Sequence, residues 1–160
     1  MKELPSTSET SAAASRTAAP RPLTIGWKEY VDFPAWNIRR VKAKIDTGAR
    51  TSALDALHYD LRETDSGLVA DLRLVLSRKH PHRVTVVSVP VLEIVVVRSS
   101  TGIHEQRPLI ETVIRLGAVT KRIPMTVTNR SRMLFRMILG RKALEGDFVV
   151  DVSKKYLLRT

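Results

Sequence analysis

Asp46-Thr47-Gly48 is a triplet whose residue types could do chemistry. The segment before it alternates: Val41, Ala43 and Ile45 fall on one side, and Arg40, Lys42 and Lys44 on the other, the period of a half-buried strand. The triplet therefore stands where a strand ends and the chain turns. A carboxylate there projects from a rigid element into open space. Gly48 permits close backbone approach, and the Thr47 hydroxyl can hydrogen-bond across an interface. Two such carboxylates meeting face to face cannot both ionise cheaply, so one holds a proton and the other stays charged. The charged one takes a proton from water as it attacks a peptide carbonyl, and the protonated one donates to the carbonyl oxygen. The alternative is that Asp46 only caps a turn through its own backbone.

The elements that must hold this triplet read as β. Leu68, Ala70, Leu72, Leu74 and Leu76 share one face of a strand, and Pro108, Ile110, Thr112, Ile114 and Leu116 share another. Val119, Ile123, Met125 and Val127 form a third, and Phe148 to Val152 closes the set. Turn signals fall between them at Asp65-Ser66-Gly67, at Ser99 to Gly102 and at Gly117. Asp65-Ser66-Gly67 is read only as a turn, and Asp46 is the one candidate carboxylate. Only Arg141 to Glu145 has a helical pattern, stopped by Gly146. Many short strands and one short C-terminal helix predict an all-β, closed barrel. With one Asp46 per chain, a facing pair requires a second copy related by a two-fold axis.

Composition narrows the function classes. The chain has 160 residues, 43% of them hydrophobic, which suits one globular domain. Residues 1–22 are rich in Ser, Thr, Ala and Pro and read as a disordered tail, which leaves 23–160 as the folded domain. There is no cysteine, so disulfide and thiolate chemistry are excluded. No apolar run is long enough to cross a membrane, and the N-terminus lacks a signal-peptide core, which together predict a cytoplasmic protein. The formal net charge of +11 favours polyanionic partners or acidic peptides. Aromatics at 5% argue against a dedicated nucleic-acid binder.

A second segment changes the weight of the Asp46 triplet. Met137-Ile138-Leu139-Gly140-Arg141-Lys142-Ala143-Leu144 sets an apolar run and Gly-Arg before a short helix. This resembles the late segment of retropepsins, the retroviral-type aspartic proteases, in which that glycine packs under the catalytic loop. The chain more closely resembles a bacterial retropepsin-like family that carries the label "ATP-dependent zinc protease". That family is associated with ATP-grasp ligases that add glutamate to a ribosomal protein. The resemblance runs from about Thr24 to Tyr156. It rests on Ile25-Gly26-Trp27, on Lys42 to Leu54, on Arg107 to Thr112 and on Met137 to Leu144. It implies a retropepsin-like barrel, a homodimer and Asp46 as the catalytic residue. It also implies that Thr47, Gly48, Ala49, Arg50 and Arg141 meet the substrate.

Two departures from the pattern matter. Viral retropepsins carry an acid where this chain has Arg50, and that acid pairs with the arginine that is Arg141 here. With the pair broken, either both arginines present charge near the cleft, suited to carboxylates, or Arg141 pairs with Glu145, Asp55 or Asp147. A histidine often stands in the family where this chain has Asp55, which weakens a metal reading. No metal site is visible elsewhere: His104-Glu105 begins a zincin motif, but Pro108 takes the second histidine's place, and His80-Pro81-His82 lies in a basic loop. Trp27 and Trp36 are expected at the core or its edge rather than in a peptide groove. No phosphate-binding glycine loop is present, and no cofactor is expected.

The expected function is an aspartic endopeptidase, dimeric, acting on an acidic or glutamylated protein, with a ligase or ribosomal protein as possible partner. The competing expectation is a non-catalytic β-barrel module that binds such a partner.

Overall fold

The computed structural model describes residues 20–99 and 101–158. Most of the expected tail, residues 1–19, lies outside them, and Pro20 to Pro22 are exposed and precede the first strand. Eleven strands follow: β1 (Leu23–Ile25), β2 (Lys28–Phe33), β3 (Ile38–Ile45), β4 (Ser52–Asp55), β5 (His58–Thr64), β6 (Gly67–Leu74), β7 (Thr85–Arg98), β8 (His104–Leu116), β9 (Val119–Thr128), β10 (Met137–Leu139) and β11 (Phe148–Val150). The helix α1 spans Arg141–Leu144.

Six strands close on themselves in the order β2-β3-β10-β4-β9-β8, with β8 returning to β2. The all-β barrel with one short C-terminal α-helix expected from the alternating pattern is therefore present. Closure occurs where Asp32 faces Arg115. The Arg115 guanidinium donates to Asp32 Oδ2 at 2.6 Å, and the Arg40 amide donates to Oδ1 at 2.8 Å. Burial disfavours the charged Asp32, but the Arg40 amide and Arg115 outweigh it and hold the carboxyl below its ordinary value. This seam therefore stabilises the fold near neutral pH, and its contribution is lost as the pH falls through the lowered value.

The alternating faces account for the core. Val41, Ala43 and Ile45 of β3 point inward, against Ile110, Ile114 and Leu116 of β8 and Ile123, Met125 and Val127 of β9. β10 runs parallel to β3 and antiparallel to β4, so it is clamped between the two strands that flank the Asp46 loop. The hairpin pair β5-β6-β7 extends the sheet outward from β8. The upstream half of β7 pairs with β6 and its downstream half with β8, with a bulge near Leu92 at the change of partner.

Pro34–Trp36 forms a 3-10 turn between β2 and β3. Pro34 supplies a helical φ at the first position and Asn37 ends the turn in the left-handed region, a signal too short for periodicity to register. Trp36 stacks on Phe33 with ring centroids 4.8 Å apart and packs against the core, and Trp27 meets the ring of Phe135 edge-on.

Candidate active site

β3 ends at Ile45, and the next four residues form a tight loop. The Asp46 amide donates to the Leu139 carbonyl of β10 at 2.9 Å, which fixes the aspartate to the barrel. Its Oδ1 accepts from the amides of Gly48, at 3.0 Å, and Ala49, at 3.2 Å. The carboxylate is half-buried, and Thr47 and Gly48 beside it are exposed. The turn-capping alternative is thus part of the geometry: Asp46 caps the loop while remaining partly exposed.

The late motif meets this loop from below. Gly140 lies so close to Thr51 that an added Cβ would sit 2.7 Å from the Thr51 carbonyl carbon. Its amide donates to the buried Ser52 hydroxyl at 3.1 Å. The amide of Arg141 donates to Ala49 and that of Lys142 to Arg50. Arg141 also reaches back with one guanidinium nitrogen to the carbonyls of both Thr47 and Gly48, each at 3.1 Å. The three acids considered as its partners are placed otherwise. Asp147 pairs with Lys121 and Asp55 with Arg136, and the Glu145 amide caps α1. Arg50 is exposed at the end of the loop. Asp46, Thr47, Gly48, Ala49, Arg50 and Arg141 therefore form one constellation.

Sequence reasoning missed the charges behind it. Asp55 is fully buried at the end of β4, where it accepts from the Arg130 amide and pairs with Arg136 at 2.9 Å. Arg136 keeps one buried guanidinium nitrogen, Nε, without a partner among the described residues. Burial and the nearby Arg107 lower the proton affinity of the Arg130 guanidinium, while the carboxylates of Asp55 and Asp46 raise it. Arg130 thus lies within the field of Asp46. It is remote in sequence and sits in an irregular segment, so no periodic signal marks it.

Asp65-Ser66-Gly67 forms the turn of the β5–β6 hairpin, where the Thr64 hydroxyl donates to the Gly67 carbonyl. It lies at the outer end of the sheet order, away from β3. His58 pairs with Asp60 on the exposed face of β5, and His80 and His82 lie in an exposed loop. No group of three or more metal-ligating side chains occurs among the described residues. No described helix is long and apolar enough to cross a membrane.

Comparison with known proteins extends this geometry. A family model described as the retropepsin-like aspartic endopeptidase RimB matches residues 24–160. A probable alpha-L-glutamate ligase of Shewanella pealeana is 35% identical over 137 residues, which cover 84% of this chain but 29% of the relative. Another of that description, from Parasynechococcus marenigrum, is 35% identical over 143 residues, 86% of this chain and 30% of the relative. The chain thus spans less than a third of the curated relatives it matches. A crystal structure of a Legionella pneumophila protein of unknown function superposes with a TM-score of 0.70 at 23% identity, over 85% of this chain and 98% of that one, a likeness of fold.

Proposed function

We propose that this chain, which belongs to the RimB-like family of retropepsin-like aspartic endopeptidases, hydrolyses peptide bonds with one Asp46 from each of two copies. The observation that supports this most is the loop itself. Asp46 is held by two amides of its own loop, and Gly140 and Arg141 brace that loop from beneath. Such bracing fixes a carboxylate before substrate arrives, which is what catalysis by a preorganised group requires.

In the dimer, an isologous contact brings each Asp46 to its counterpart. One carboxylate then accepts a proton from the attacking water while the other donates to the scissile carbonyl oxygen, and a proton later passes to the leaving amine. Thr47 pins the two loops across the axis, and Gly48 and Ala49 offer backbone to the substrate. Arg141 acts through the loop carbonyls it holds. Activity therefore belongs to the pair of chains: activity per chain should climb with protein concentration through the range where sedimentation shows dimers forming. A chain that sediments as a monomer and keeps constant activity per chain would exclude the shared site.

The substrate we infer is acidic beside the cleaved bond. Arg50 is exposed at the loop's edge, Arg141 braces the loop, and Arg130 lies behind it in the field of Asp46. Relatives described as glutamate ligases carry this domain within a longer chain, which points to a glutamate-bearing protein as substrate and to a ligase or ribosomal protein as partner. Arg50→Glu should lower kcat/KM on acidic peptides about tenfold more than on neutral ones, an effect that raised salt reproduces in part. Equal losses on the two peptide sets would show that Arg50 acts only in the loop's structure.

A further inference from the structure

The outer wall of the barrel holds a second concavity, of about 360 Å³, to which none of Asp46 to Arg50 contributes. This is the size of a small-molecule site. Its walls are the outward faces of β2 and β3 and two loops, one after β6 and one before β10. Six basic side chains line it, Lys28, Arg40, Lys42, Arg78, Lys79 and Arg136, and no acidic one does. Asp55 compensates Arg136. The apolar part of the lining comes from Leu76, Leu134 and Phe135.

The fold places these cations deliberately. Arg40 has φ of +57°, and Tyr156, also in the lining, has φ of +51°; only Asn37 is a third such non-glycine among the described residues. A left-handed residue with a Cβ costs about 1–2 kcal/mol and persists where something else requires it. For Arg40 the β2–β3 ladder loses register at this point, and Asp32 holds its amide. The result turns its guanidinium over the Tyr30 ring, at 4.2 Å from the centroid. Tyr30 stacks on Tyr156 at 4.4 Å, and Lys28 lies over both Tyr156 and Trp27. Arg78 ties the two rim loops together by donating to the carbonyls of Met133 and Leu134. Aromatic faces and a strained backbone thus hold like charges together around one hollow.

We propose that this hollow binds closely spaced phosphates, as carried by a nucleoside polyphosphate or by a short phosphate chain. An extended acidic peptide places carboxylates of the same face about 7 Å apart, so only a few enter such a volume. A phosphate chain concentrates several charges within it, and both guanidinium and ammonium groups suit phosphate oxygens. The apolar wall of Leu76, Leu134 and Phe135 offers a surface against which the body of a nucleoside would pack. The low overall aromatic content is no objection, because Trp27, Tyr30, Phe135 and Tyr156 all gather at this one place. The rings of Trp27, Tyr30 and Tyr156 carry cations rather than lying open for base stacking, which favours a compact phosphate ligand over a nucleic-acid strand.

The test is calorimetry on the full chain with ATP, GTP, tripolyphosphate, hexaglutamate and a ten-nucleotide oligouridylate, with Trp27 fluorescence as a second readout. Saturable binding of a triphosphate or of tripolyphosphate, tighter than hexaglutamate, is expected. Tighter binding of the nucleotides assigns the apolar wall to a nucleoside, and equal binding assigns the site to the bare chain. Lys42→Glu with Lys79→Glu should weaken that binding at least about tenfold, while Arg73→Glu with Arg98→Glu, the same charge change outside the hollow, should alter it by less than about twofold. Arg40→Gly, which accepts the positive φ without strain, should also weaken it while leaving the melting temperature close to that of the parent. Absence of saturable phosphate binding, equal loss in both double variants, or no loss in Arg40→Gly would overturn the proposal. Hexaglutamate or oligouridylate binding as tightly as tripolyphosphate would overturn it too, in favour of an acidic peptide or an RNA strand.

Discussion

Asp46→Asn should reduce peptide cleavage by at least about a thousandfold while leaving the fold and the dimer intact. The separation of the two effects follows from the loop. Asp46 Oδ1 accepts from the amides of Gly48 and Ala49, and an asparagine carbonyl oxygen can accept from the same two donors. Its backbone bond to Leu139 is untouched. What the amide cannot do is exchange the proton that the reaction moves between water, substrate and carboxylate. The pair also predicts a rate that falls as rising pH strips the shared proton. Mixing gives a sharper test of shared chemistry. When equal amounts of parent and variant exchange subunits freely, about a quarter of the dimers keep two aspartates. Activity should then fall to about half that of the same amount of parent alone. Activity unchanged by mixing, at demonstrated exchange, would place the reaction within single chains. Full turnover by the variant would exclude the aspartic mechanism, whereas no cleavage by the parent chain itself would leave the non-catalytic barrel as the better reading.

How much of this was legible in the sequence varies with the physics of each feature. Period-two patterns forecast which faces of β3, β6, β8 and β9 are buried, because a one-residue shift would turn each apolar set toward water. The Asp46 loop and its brace were legible because both are short, ordered motifs that demand particular residues. Gly140 is one, since no Cβ fits beside Thr51. The network behind the loop was not. Asp55, Arg130 and Arg136 meet only because β4 and the segment before β10 come together, at separations of 75 and 81 residues. Arg40 reads as one more outward charge on a strand; its left-handed φ comes from a lost register that has no mark in the sequence. Nor did the sequence show that Arg141 would spend hydrogen bonds on loop carbonyls, because its partners there are backbone oxygens that every residue carries.

Glu29→Gln should lower stability by about 2–4 kcal/mol, roughly 5–15 °C in melting temperature, although Glu29 lies outside the Asp46 constellation. Glu29 is fully buried, on the inward face of β2. Its carboxylate gathers three amides: Gly26 and Leu157 donate to Oε1, each at 2.8 Å, and Leu158 donates to Oε2 at 3.3 Å. Two of these belong to the C-terminal segment, which is thereby tied to the start of β2. Gly26 lets that segment pass, since a Cβ would lie 2.4 Å from the Lys154 carbonyl oxygen. The Trp27 amide donates to Lys154 and the Tyr156 amide to Lys28, and β1 pairs with β11 in parallel, so both ends of the domain are held within one chain. Glutamine can satisfy one side of this clamp with its carbonyl oxygen. Its NH2 group must then face an amide on the other side, leaving donors opposed where water does not reach. Exchange protection at Leu157 and Leu158 should fall together with the melting temperature, because the same carboxylate holds both. Since Ile45 donates to the Trp27 carbonyl, loosening this corner also frees the strand that ends at Asp46. Cleavage at a temperature where the variant is still folded should therefore decline modestly, by less than about tenfold, in contrast to the loss at Asp46→Asn. An unchanged melting temperature with full protection at both leucines would show that the tail is held by its packing and backbone bonds alone.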